Sequence, residues 1–69
     1  MIKDWIIQMY DREIKDVKAN ISNQRTWQRA ADSQESYDIF GETIRQLEEY
    51  LEVLETLKKQ ANEESAYEF

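Results

Sequence analysis

The chain has no cysteine, no histidine and no proline, and a single glycine among its 69 residues. Without cysteine there is neither a disulfide nor a thiol nucleophile. Without histidine as well, the usual zinc ligand sets and the Ser-His pair of a hydrolase are missing. One glycine cannot build a glycine-rich phosphate loop. The sequence is therefore read as that of a non-enzyme with no metal and no cofactor. A chain this short buries a smaller fraction of its surface than a larger protein does. With no disulfide and no metal to staple it, association is the remaining source of stability.

Long hydrophobic runs are missing too. The opening MIKDWIIQMY holds Met1, Ile2, Trp5, Ile6, Ile7, Met9 and Tyr10, but Lys3, Asp4 and Gln8 interrupt it and Asp11, Arg12 and Glu13 follow it. A secretory signal needs about 7–15 uninterrupted apolar residues and a small-residue cleavage site, and a membrane span needs about 20. The expectation is a cytoplasmic protein that does not use a membrane.

What the chain has in quantity is charge, 35% of its residues, carried with glutamine on side chains that favour helix. With almost no turn punctuation, the class is all-α. Written as heptads, the first half places Ile7, Ile14 and Ile21 at a and Tyr10 and Val17 at d, with Gln24 and Gln28 continuing the seam. The second half places Tyr37, Ile44 and Leu51 at a and Phe40, Leu47 and Leu54 at d, ending in Lys58 and Ala61. Two amphipathic helices are expected, at 2–31 and 34–64, with a turn at 32–34 and a short tail at 65–69. Asp32 with Glu35, or Ser33 with Ser36, has the spacing to cap the second helix.

So short a turn makes the helices antiparallel. Core partners then carry numbers that sum to about 68, as Ile14 with Leu54, Val17 with Leu51 and Ile21 with Leu47, so every a meets a d. Residues 1–69 are thus read as one domain, an antiparallel, coiled-coil-like two-helix hairpin. Gln24 and Gln28 should leave its turn end the less tightly packed.

The seam does not use all the apolar residues. Ile2, Ile6, Met9 and Trp27 on the first helix, and Ile39, Tyr50, Val53 and Leu57 on the second, fall at positions c and g. In an antiparallel pair these positions share one flank, which makes an association face larger than a monomer ordinarily exposes. Dimerisation of two hairpins into a four-helix bundle is the simplest way to cover it, so the expected state is a homodimer. The alternative is an intramolecular cluster in which Trp5, Tyr67 and Phe69 fold over the open end.

Charge is divided. Residues 1–31 hold six basic and four acidic side chains, and residues 32–69 hold three and eleven, giving the overall −6. Glu42, Glu48, Glu49, Glu52 and Glu55 run along the outer side of the second helix. Their plain reading is a solvated face. The sharper one is an acidic stripe that occupies a basic nucleic-acid-binding surface on a protein target, as a small regulator or inhibitor from a phage or mobile element would. The same region spells two overlapping E-x-x-E spacings at Glu49, Glu52 and Glu55, but helix-bundle metal sites of that kind also use Glu-x-x-His.

Nucleic acid is the rival partner. Arg12, Lys15, Arg25 and Arg29 on the first helix are the candidates for phosphate contact. The hairpin layout is similar to that of the Rop family of plasmid copy-number regulators, short helical hairpins that dimerise into a four-helix bundle and hold paired RNA loops. That resemblance is of architecture; no motif aligns and no functional residue carries over. The secreted WxG-type hairpins differ, since Trp27 is followed by Gln28 and Arg29.

Overall fold

A computed structural model describes residues 2–65, with side chains described for residues 4–63. It contains two helices, α1 (Ile2–Arg29) and α2 (Gln34–Ser65), packed against each other. The Ile2 side chain, Tyr67 and Phe69, expected at the open end, lie outside the described residues.

Helix α1 ends at Arg29, two residues before the expected boundary at 31. Its last turn tightens as Ala30 N donates to Trp27 O at 3.1 Å and Ala31 N to Gln28 O at 3.2 Å, three-residue closures that use up carbonyls a continuing helix would need. The start of the second helix sets this stop. Ser33 Oγ accepts from Ser36 N at 3.1 Å and donates to Ser36 Oγ at 3.1 Å, while Ser33 O takes the first bond of α2 from Tyr37 N. Ser33 is thus the N-cap, and of the two candidate pairs Ser33 and Ser36 form the cap. Only three residues remain to reverse the chain.

The seam follows the heptads through the middle of the rod. Ile14, Val17, Ile21, Ile44 and Leu54 are buried, with Tyr10, Leu47 and Leu51 packed on them. Toward the turn the aliphatic seam gives out. Tyr37 at position a is half exposed, and Gln28 closes the gap by donating from Nε2 to the Tyr37 carbonyl at 3.2 Å. Gly41 makes room for that amide, since a Cβ there would lie 3.0 Å from Gln28 Nε2. Trp27 and Phe40 meet beside it with ring centroids 6.3 Å apart and planes tilted by 50°, a separation at which aromatic pairs attract. At the open end Lys58 Nζ lies 2.5 Å from Asp11 Oδ1. Asp11 with Lys58 and Gln28 with Gly41 therefore keep one register at both ends.

The result is a rod of 56 × 15 × 11 Å with a radius of gyration of 16.0 Å, against about 11 Å for a compact domain of this length. It exposes 5603 Å², where a folded monomer of its mass exposes about 4,600 Å². Among the described residues no helix is long and apolar enough to cross a membrane.

Candidate functional site

Helical spacing sorts the surface into two flanks along the seam. On the c and g flank, Met9, Tyr50, Val53 and Leu57 gather toward the open end and Trp27 and Ile39 toward the turn. Each of these exposes between 39% and 59% of its surface, and Ile6 beside them is half-buried. A polar band separates the two groups, formed by Asn20, Asn23, Thr43 and Gln46. Trp5, placed only in a cap over the open end by its sequence position, is 64% exposed. It shares a shallow depression with Gln8, Met9 and Arg12 on the outer side of α1.

Two acidic side chains of α1 interrupt the apolar flank, Asp16 at c and Glu13 at g. The Tyr50 hydroxyl donates to Glu13 Oε1 at 3.3 Å across the two helices. The phenol is held above its ordinary pKa, first by desolvation and then by the charge and hydrogen bond of Glu13.

The acidic side of α2 is partly neutralised from within the chain. Arg45 lies one turn from each of two glutamates, reaching Glu42 at 2.5 Å and Glu49 at 2.6 Å. Its hydrogen bond holds the Glu42 carboxyl below its usual range, and the pairing raises the guanidinium in turn. Glu48 receives Arg25 from α1 at 3.1 Å. Glu52 and Glu55 complete the set, both exposed. Heptad spacing signals the Arg45 clamp in advance; the cross-helix pairs emerge only once the register is known.

The e flank carries a feature that charge counting hides. Lys15 and Lys18 from α1 and Lys58 and Lys59 from α2 line one groove, together with Asp11 and Glu55. A second depression continues it toward the turn past Arg25 and Arg29. Of the four side chains assigned to phosphate contact, Lys15, Arg25 and Arg29 thus share a flank, while Arg12 lies beside Trp5 on a different side. Among the described residues no group of three or more His, Cys, Asp or Glu side chains could hold a metal ion.

Comparison with known protein families, curated proteins and solved structures returned no match for this chain.

Proposed function

We propose that this chain is a non-enzymatic association module: two hairpins pair through the c and g flank into a four-helix bundle, and the bundle binds a protein whose basic surface accepts the acidic side of α2. The observation that carries the pairing is the mismatch between core and flank. Among the described residues, five buried side chains form the seam, while eight large hydrophobic side chains are exposed. Six of those eight lie on the c and g flank. Covering them is worth about 25 cal/mol for each Å² of apolar surface removed from water, and a second copy is the partner always available to do it.

The target reading rests on charge. Helix α2 presents Glu52 and Glu55 beside the Arg45 clamp, so the row remains negative, and opposed charge speeds encounter with a basic partner. A protein that occupies a nucleic-acid-binding surface in this way acts as an inhibitor.

Sedimentation equilibrium tests the pairing: the mass should approach twice the 8.4 kDa of one chain, and the melting temperature should rise with concentration by mass action. A single-chain mass with a concentration-independent melt rejects it. Capture from a lysate, with bound protein and nucleic acid measured in the same sample, tests the target. The lysine groove favours one second reading, a dimer that binds RNA, because it brings basic side chains of both helices together. Co-purifying RNA would establish that reading in place of the protein target.

A further inference from the structure

On the reading that two hairpins pair, we infer that they do so with their open ends at the same end of the bundle, so that α1 of each copy lies beside α2 of the other. Two rods meeting face to face about a two-fold axis have two arrangements. An axis along the rods gives the one inferred here. An axis across the rods lays α1 on the partner's α1 and α2 on the partner's α2, with the open end of each over the turn of the other.

Charge separates the two. Helix α1 carries six basic and four acidic side chains, whereas α2 carries three basic and nine acidic. Placing α2 on a second α2 brings two helices of net −6 together along their length. Placing α1 beside the partner's α2 sets a net positive helix against a net negative one.

The pattern along the flank points the same way. With open ends together, Met9 of one copy stands level with Leu57 of the partner, and Trp27 stands level with Ile39. Asn23 then faces Gln46, polar on polar. With ends opposed about the middle of the rod, Leu57 stands level with the partner's Gln46, and Met9 stands between the partner's Asn23 and the partner's Trp27. Contact that matches apolar with apolar at the two ends of the flank buries hydrophobic surface there, while Glu13 and Asp16 of α1 stand level with the partner's Val53 and the partner's Tyr50 between them. The charge division carries the choice of arrangement, and the matching of Met9 with Leu57 and of Trp27 with Ile39 agrees with it.

The chain holds no cysteine, so a single introduced thiol is a clean probe. Asp32→Cys and, separately, Glu35→Cys, both at exposed positions around the turn, would each carry a nitroxide label in the full-length protein. Pulsed dipolar spectroscopy then reads the distance between the two labels of a dimer. Open ends together place the turns side by side, with label distances below about 30 Å given neighbouring helix axes about 8–10 Å apart. Ends opposed place them at distances approaching the 56 Å length of the rod. A short distance at both positions supports the inference. A long or two-component distribution in a sample of dimeric mass overturns it and leaves the pairing standing. A single-chain mass removes the pairing itself.

Discussion

Tyr50 of α2 donates its hydroxyl to Glu13 of α1 at 3.3 Å, on the flank where the exposed apolar side chains gather. The bond ties the two helices together and leaves a carboxylate in the face assigned to pairing. With open ends together, the two copies of Glu13 lie at one level of the bundle and repel each other. Glu13→Gln should therefore tighten self-association several-fold, because the amide keeps an acceptor for Tyr50 and removes the charge. Sedimentation equilibrium of the variant checks this; an unchanged or weaker association would place Glu13 outside the contact.

The seam makes a prediction of its own. Leu54 is the most buried core side chain at 5% exposure. Leu54→Ala should cost about 2–5 kcal/mol, out of the roughly 3–10 kcal/mol available to a chain of this length. Urea unfolding followed by circular dichroism should show the variant largely unfolded in water. A midpoint within a few degrees of the parent's in a thermal melt would contradict the seam.

That seam was legible in the sequence because period and burial are linked. Ile14, Val17, Ile21, Ile44 and Leu54 are a and d residues that the structure buries, and the Asp11–Lys58 register fits the expected sum. The end of α1 was less legible: Ala30 and Ala31 favour helix, and only the Ser33 cap decides against them. The lysine groove could not be read from one helix at a time, since Lys15 and Lys18 meet Lys58 and Lys59 only after the chain has turned back. For the same reason the pairing of the acidic row with α1 cannot be read from α2 alone. Arg25 reaches Glu48 from twenty-three residues away.

Two pH effects of opposite sign arise from the perturbed groups. Glu42 is held below its ordinary pKa chiefly by Arg45, so its contribution to stability is complete above the ordinary carboxylate value and is lost as pH falls through the lowered one. Tyr50 is held above its ordinary pKa, first by desolvation, so its contribution is complete below the ordinary phenol value and is lost as pH rises through the raised one. Carboxyl NMR titration should show Arg45→Gln returning Glu42 toward its usual range. Tyrosinate absorbance should show Glu13→Gln lowering the Tyr50 value only in part, because desolvation remains.

Gly41 sits inside α2, where glycine costs about 1 kcal/mol relative to alanine. The atom a Cβ would meet is the flexible end of Gln28 at 3.0 Å, which can swing aside at the expense of its bond to the Tyr37 carbonyl. Gly41→Ala should therefore stabilise the hairpin by less than the full helix gain, about 0.5 kcal/mol. A second comparison isolates the cause. In a Gln28→Ala background, where no amide is displaced, Gly41→Ala should gain more than it does in the parent, read as the difference between two chemical-denaturation midpoints.

The apolar flank gives the most direct test of pairing. Ile6 and Leu57 lie at g positions on opposite helices, half-buried and 39% exposed respectively, and neither belongs to the buried cluster of the seam. Ile6→Glu with Leu57→Glu would set two carboxylates in the contact, where they are either desolvated without a partner or hold the copies apart. In the paired state that cost falls on both copies, so the variant should sediment as one chain at concentrations where the parent has the mass of two. Having lost its only staple, it should also melt lower than the parent at every concentration, with a midpoint that no longer moves with protein concentration. Ile6→Gln with Leu57→Gln separates charge from burial: it should weaken association less, since an amide costs less to desolvate than a carboxylate. Equal masses for parent and both variants would return Ile6, Met9 and Leu57 to packing within one chain.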